Sequence, residues 1–207
     1  MEPMTEEQYR VRAEPAYRAV FARPDPFDEP FQPEIEARLV LYGYRWALHP
    51  PWLEPVVRGI RQLGESGFFV SALERAKDKN HDGYYHWYVP LGEADTYGPA
   101  VYSQQNAVYS TEGRWGIICS DEDHALIGGP TPIIQGIQAA VPDLDARVKE
   151  FLSVWKHYHN RNRVNLGWIP GTLSHIYGPE RTRALLRDAE LQWLLDHDQS
   201  ETSITAD

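Results

Sequence analysis

The chain has 207 residues, with 30 acidic side chains against 20 Lys and Arg for a formal charge of -10. That balance argues against sequence-independent nucleic-acid binding and against attraction to anionic membranes, both of which need a basic surface. Hydrophobic residues at 42% and charged residues at 24% fit a globular protein, and the length suits one domain with a sizeable core. Cys119 is the only cysteine, so no internal disulfide can form. The start, MEPMTEEQYR, has neither a positive n-region nor an apolar h-region, and no apolar run approaches a membrane span. A reducing, cytoplasmic setting is the expectation. Seven Trp and twelve Tyr can fill a core and also anchor an interface.

Thr5 can cap a first helix, with Gln8 completing a capping box. The helix should run toward Phe21, interrupted at Pro15. Pro recurs through ARPDPFDEPFQP, residues 22–33, so this is an extended connector, ordered if Phe27 and Phe31 dock on the body. Residues 1–33 therefore read as an N-terminal helix and Pro-rich connector of a single domain spanning 1–207. Ile35, Leu39, Tyr42, Trp46 and His49 alternate spacings of four and three, which predicts a helix stopped by Pro50-Pro51. A second helix begins near Trp52, with Val56, Ile60 and Leu63 on one face and Gly64 as its C-terminal cap.

The period then shortens. GFFVSAL, residues 67–73, and YYHWYV, residues 84–89, predict two strands joined by a long polar loop. Residues 106–129 predict three short strands with turns at Thr111-Glu112-Gly113-Arg114 and Ser120-Asp121-Glu122-Asp123. Helix returns at Thr131 to Ala140, weakened by Gly136. Leu144, Val148, Phe151, Trp155 and Tyr158 form the most regular amphipathic stripe, ending at Asn160 to Arg163. A short helix fits Pro170 to Gly178. Pro179 opens a last one, with Leu186, Ala189 and Trp193 inward. Residues 198–207 are a polar tail expected to be disordered. The fold class is α+β: a central antiparallel sheet of about four to five strands, with helices from both ends of the chain packed on it.

Several groups could carry chemistry. Asp78, Asn80 and Asp82 before Gly83 match the opening of a calcium loop, but position twelve is Val89 where a Glu ligand is required. A hairpin loop explains them as well, and no cofactor is expected. Cys119 and His124 flank the second turn; paired strands could bring them together as nucleophile and base, with Asp121 or Asp123 orienting the imidazole. A buried, inert Cys119 is the simpler reading. Asp121, Glu122, Asp123 and His124 form a candidate recognition turn. The basic run Lys156 to Arg163 sits at a helix C-terminus, where the dipole favours cations, and His157 and His159 do not share a face. Gly128-Gly129 before a helix could receive an anion, or simply make the turn. No P-loop, GxGxxG, HExxH, GxSxG or CxxC pattern occurs.

The run Asn106-Ala107-Val108-Tyr109-Ser110, with Gly113, Trp115-Gly116, Ser120 to Leu126 and Gly128-Gly129, resembles stretches of uncharacterised bacterial proteins of the kind found as immunity proteins beside polymorphic toxins. The resemblance implies a protein that neutralises one cognate toxin by direct binding and needs no catalytic residue. An acidic chain rich in Tyr and Trp would suit a basic partner. A small Cys/His or acid-base hydrolase and a self-associating structural or regulatory module are the alternatives.

Overall fold

The computed structural model describes residues 1–74 and 83–195. The candidate calcium residues Asp78, Asn80 and Asp82, and the expected tail from 198, lie outside the described residues. Among these residues, seven strands form one sheet: β1 (Glu2–Met4), β2 (Ala37–Tyr42), β3 (Gly67–Ala72), β4 (His86–Pro90), β5 (Asn106–Ser110), β6 (Gly116–Cys119) and β7 (His124–Gly129). Their order is β1-β4-β3-β5-β6-β7-β2, and every neighbouring pair is antiparallel. The five inner strands are those the sequence predicts. The two it misses are the edges, so the expected four to five become seven.

Each edge hides for a physical reason. β1 has three residues, too few for alternation to show, and pairs Glu2 with Tyr88 and Met4 with His86. β2 replaces the helix expected over residues 35–49. Leu39, Val40 and Leu41 are consecutive and all buried, because the sheet is covered on both faces. A strand buried on both faces reads as a continuous apolar run, which periodicity cannot tell from a helix. Gly43, at φ +72, ends it, and its N–H donates to the Asp123 carbonyl at 2.9 Å.

Thr5 caps α1 (Glu6–Gln8) through the expected capping box. A wide π turn, Tyr9–Ala13, then leads into α2 (Glu14–Val20). The Glu14 N–H reaches back to the Tyr9 carbonyl, and Pro15, which has no N–H to donate, falls in the first turn of α2. Thus Pro15 marks a change of helix pitch. The remaining α-helices among the described residues are α3 (Leu53–Gln62), α4 (Thr131–Ala140), α5 (Leu144–Asn162), α6 (Trp168–Tyr177) and α7 (Pro179–Asp188), close to their expected positions. Among the described residues, no helix is long and apolar enough to cross a membrane.

Three layers result. α3, α4 and the segments carrying Tyr44, Trp52 and Tyr97 cover one face, where Ile117, Cys119 and Ala125 point. The N-terminal helices, the connector, α5, α6 and α7 cover the other, where Ile118 and Leu126 point. Gly116 and Gly128 pair across β6 and β7 and open a trough on that second face. A Cβ on Gly116 would lie 2.5 Å from Phe21, and one on Gly128 2.9 Å from Phe31. The two phenyl rings sit 5.7 Å apart in the trough, and Phe31 is buried. The connector is ordered by that docking, and its next aromatic, Phe27, is delivered to the end of the sheet where β6 turns into β7.

Candidate functional site: the acidic turn and its aromatic backing

The turn between β6 and β7 is held by its first residue. The Ser120 hydroxyl accepts from the Glu122 N–H at 3.0 Å and donates to the His124 carbonyl at 2.9 Å. The Ser120 N–H donates to the same carbonyl at 2.9 Å. Asp123 takes a left-handed conformation, φ +59, which a short polar side chain tolerates. Its carbonyl is the acceptor for Gly43, so the turn is also tied to the end of β2. Asp121, Glu122 and Asp123 are therefore presented, exposed, on a hydrogen-bonded frame.

No ion pair engages these three carboxylates among the described residues; Asp121 accepts one hydrogen bond, from Gln105 Nε2 at 3.2 Å. Partial burial raises the pKa of Glu122, and repulsion from Asp121 and Asp123 adds to it. The field extends to α5. Tyr42 has its pKa raised first by burial and then by the charges of Glu150 and Asp123. Like charges held this close carry an unfavourable energy that an incoming cation would relieve.

His124 is not part of the exposed turn. It is fully buried directly behind it, in a box of Phe27 at 5.1 Å, Phe151 at 5.3 Å and Trp168 stacked at 5.7 Å. Its Nδ1 lies 2.9 Å from the Ser120 hydroxyl. Burial pushes its pKa down to about 4, so it is a neutral strut under the turn at neutral pH. The candidate recognition set thus shrinks to Asp121, Glu122 and Asp123.

The Cys119–His124 pairing is overturned by strand parity. Cys119 pairs with Ala125, so His124, one residue away, faces the opposite side of the sheet. The thiol is fully buried beside Tyr44, and burial pushes its pKa far up. The other groups also have plain structural partners. Lys156 bridges to Glu190 at 2.7 Å, and His159 Nδ1 lies 2.8 Å from the Val164 carbonyl, so the basic run serves the end of α5. The start of α4 already carries a carboxylate from the same chain, since Thr131 N–H and Oγ1 donate to Glu36 at 3.3 and 3.2 Å. Among the described residues, no group of three or more His, Cys, Asp or Glu side chains is arranged to hold a metal.

Two features had no sequence signal. One is a buried polar chain: His86 Nδ1 lies 2.9 Å from Ser71 Oγ, itself 2.9 Å from the Tyr109 hydroxyl, with the Tyr9 ring stacked 3.6 Å above the imidazole. Ser71 is 2% exposed, so the chain ties three strands to the π turn from within. The other is an open pocket of about 350 Å³ between the acidic turn and α5, lined by Phe27, Asp121, Glu122, Trp155, Tyr158, Asn162 and Val164. Trp155 and Tyr158 stand edge to face at 5.8 Å and 90°. Both belong to the predicted α5 stripe, but the stripe gives no hint that its last member leaves the core; Tyr158 is 38% exposed.

In comparisons with family models, with curated proteins and with solved structures, the chain matches none.

Proposed function

We propose that this is a non-catalytic binding protein that neutralises a partner protein, a basic bacterial toxin, through the face carrying Asp121, Glu122 and Asp123. The observation that carries this reading is a hydrogen-bonded turn presenting three carboxylates that no cation of the described chain balances, set beside an aromatic pocket. Charged surfaces of this kind steer complementary partners and speed their association more than they add affinity. The overall charge of -10 acts in the same direction at long range. The likeness of the β5–β7 stretch to immunity proteins supports a toxin as the partner. The cytoplasm is where such a protein would act.

Co-expression in a bacterial host of this chain with the product of the reading frame beside its gene tests the proposal. The native chain should restore growth against a toxic neighbour. The Asp121→Lys/Glu122→Lys/Asp123→Lys chain should fold, by circular dichroism, and fail to protect. A non-toxic neighbour, or full protection by the charge-reversed chain, would overturn it.

A further inference from the structure

We infer that the pocket between the acidic turn and α5 receives one arginine side chain of the partner, an inference that rests on the binding reading above. The acids alone would be an ordinary solvated turn tip. What distinguishes this place is that Asp121 and Glu122 share a recess with three aromatic rings. Trp155, 6% exposed, lines the recess together with Tyr158, which stands at a right angle to it, and Phe27, 6.1 Å from it.

A guanidinium matches both components at once. Its flat face stacks on aromatic rings, and its edge presents a fork of N–H donors to carboxylates. Cations over Trp and Tyr are attracted by the ring quadrupole, most strongly where water is partly excluded. Lysine supplies the charge without the plane or the fork. A neutral or anionic side chain would leave Asp121 and Glu122 unpaired or repelled. The volume, about 350 Å³, lies near the small end for ligand sites, suited to a side chain rather than a large cofactor. Asp123 and Glu150 lie outside the recess lining and would guide the approach.

The test is a nuclear magnetic resonance titration of the ¹⁵N-labelled full chain at constant ionic strength with acetyl-Gly-Arg-Gly-amide. The lysine and citrulline counterparts are run beside it. The Trp155 indole N–H and the amides of residues 121–124 should shift saturably with the arginine peptide, less with lysine and not with citrulline. Tyr158→Ala should weaken arginine binding by roughly 3- to 10-fold, the range expected for losing one cation–π contact. Glu122→Gln, which leaves the aromatic wall intact, should weaken it independently. Equal shifts with citrulline, shifts confined to other parts of the chain, or no effect of either variant would overturn the arginine pocket. A poly-arginine chain separates this failure from that of the wider reading. If it binds the native chain but not the charge-reversed one, the acidic surface stands without the pocket. If it binds neither, both readings fall.

Discussion

Acid should weaken the fold through His124, and the size of the effect can be worked from its surroundings. In the unfolded chain this imidazole titrates at its ordinary value of 6.5, whereas burial lowers it to about 4 in the fold. Between these values the unfolded state holds the extra proton, so stability is full above pH 6.5 and falls as pH drops toward 4. With each pKa unit worth about 1.36 kcal/mol, the loss from pH 7 to pH 4 comes to about 3 kcal/mol. That is a large part of the stability of an ordinary domain. The cause is geometric: an imidazolium would have to sit among Phe27, Phe151 and Trp168. His124→Gln removes the titration while keeping a polar side chain beside Ser120. Urea unfolding of both chains at pH 7, 5.5 and 4 measures the effect. The variant should be less stable at pH 7 yet lose about 3 kcal/mol less on acidification. Parallel losses in the two chains, or a native His124 that titrates near 6.5, would refute the assignment. His175, whose pKa burial also lowers to about 4, contributes in the same sense in both chains and cancels in the comparison.

Glu65 is buried and accepts from Ser110 Oγ at 2.9 Å, Thr111 N–H at 3.0 Å and Arg114 Nη2 at 3.0 Å. Glu65→Ala should cost roughly 3 kcal/mol in thermal or urea melts by stranding these donors; a loss near zero would mean that water replaces the carboxylate. Gly116→Ala and Gly136→Ala should have opposite signs. A methyl at Gly116 strikes Phe21 at 2.5 Å and should cost roughly 1–3 kcal/mol, whereas nothing lies within 4 Å at Gly136, in the middle of α4, and Ala there should stabilise by about 0.5–1 kcal/mol. Destabilisation at Gly136 would point to a role for the small residue outside packing. Cys119 should resist a thiol reagent in the native chain and react fully in denaturant; rapid native labelling would contradict its burial.

The inner fold was legible because its signals are local. The turns at residues 111–114 and 120–123, the aromatic strands and the α5 stripe each lie within one short window. The edges were not. β1 is too short to show a period, and β2 loses its alternation because both sides of the sheet are covered. The site was half legible. Asp121, Glu122 and Asp123 stood out as charge without a core role, but His124, adjacent in sequence, opens β7, every residue of which is buried because both faces of the sheet are covered. Phe27, Trp155 and Tyr158 come from a Pro-rich connector and a distant helix. The docking of Phe21 and Phe31 over the Gly116–Gly128 trough, with contacts such as His124 Nε2 to the Pro26 carbonyl at 3.4 Å, brings that connector to the turn.

The association rate of the partner with the native and the Asp121→Lys/Glu122→Lys/Asp123→Lys chains, followed by stopped flow at low and at physiological salt, tests the acidic turn as the binding face most directly. The native chain should associate at least about 10-fold faster, with an advantage that shrinks as salt rises. Equal rates at both salt concentrations would place the interface elsewhere on the molecule.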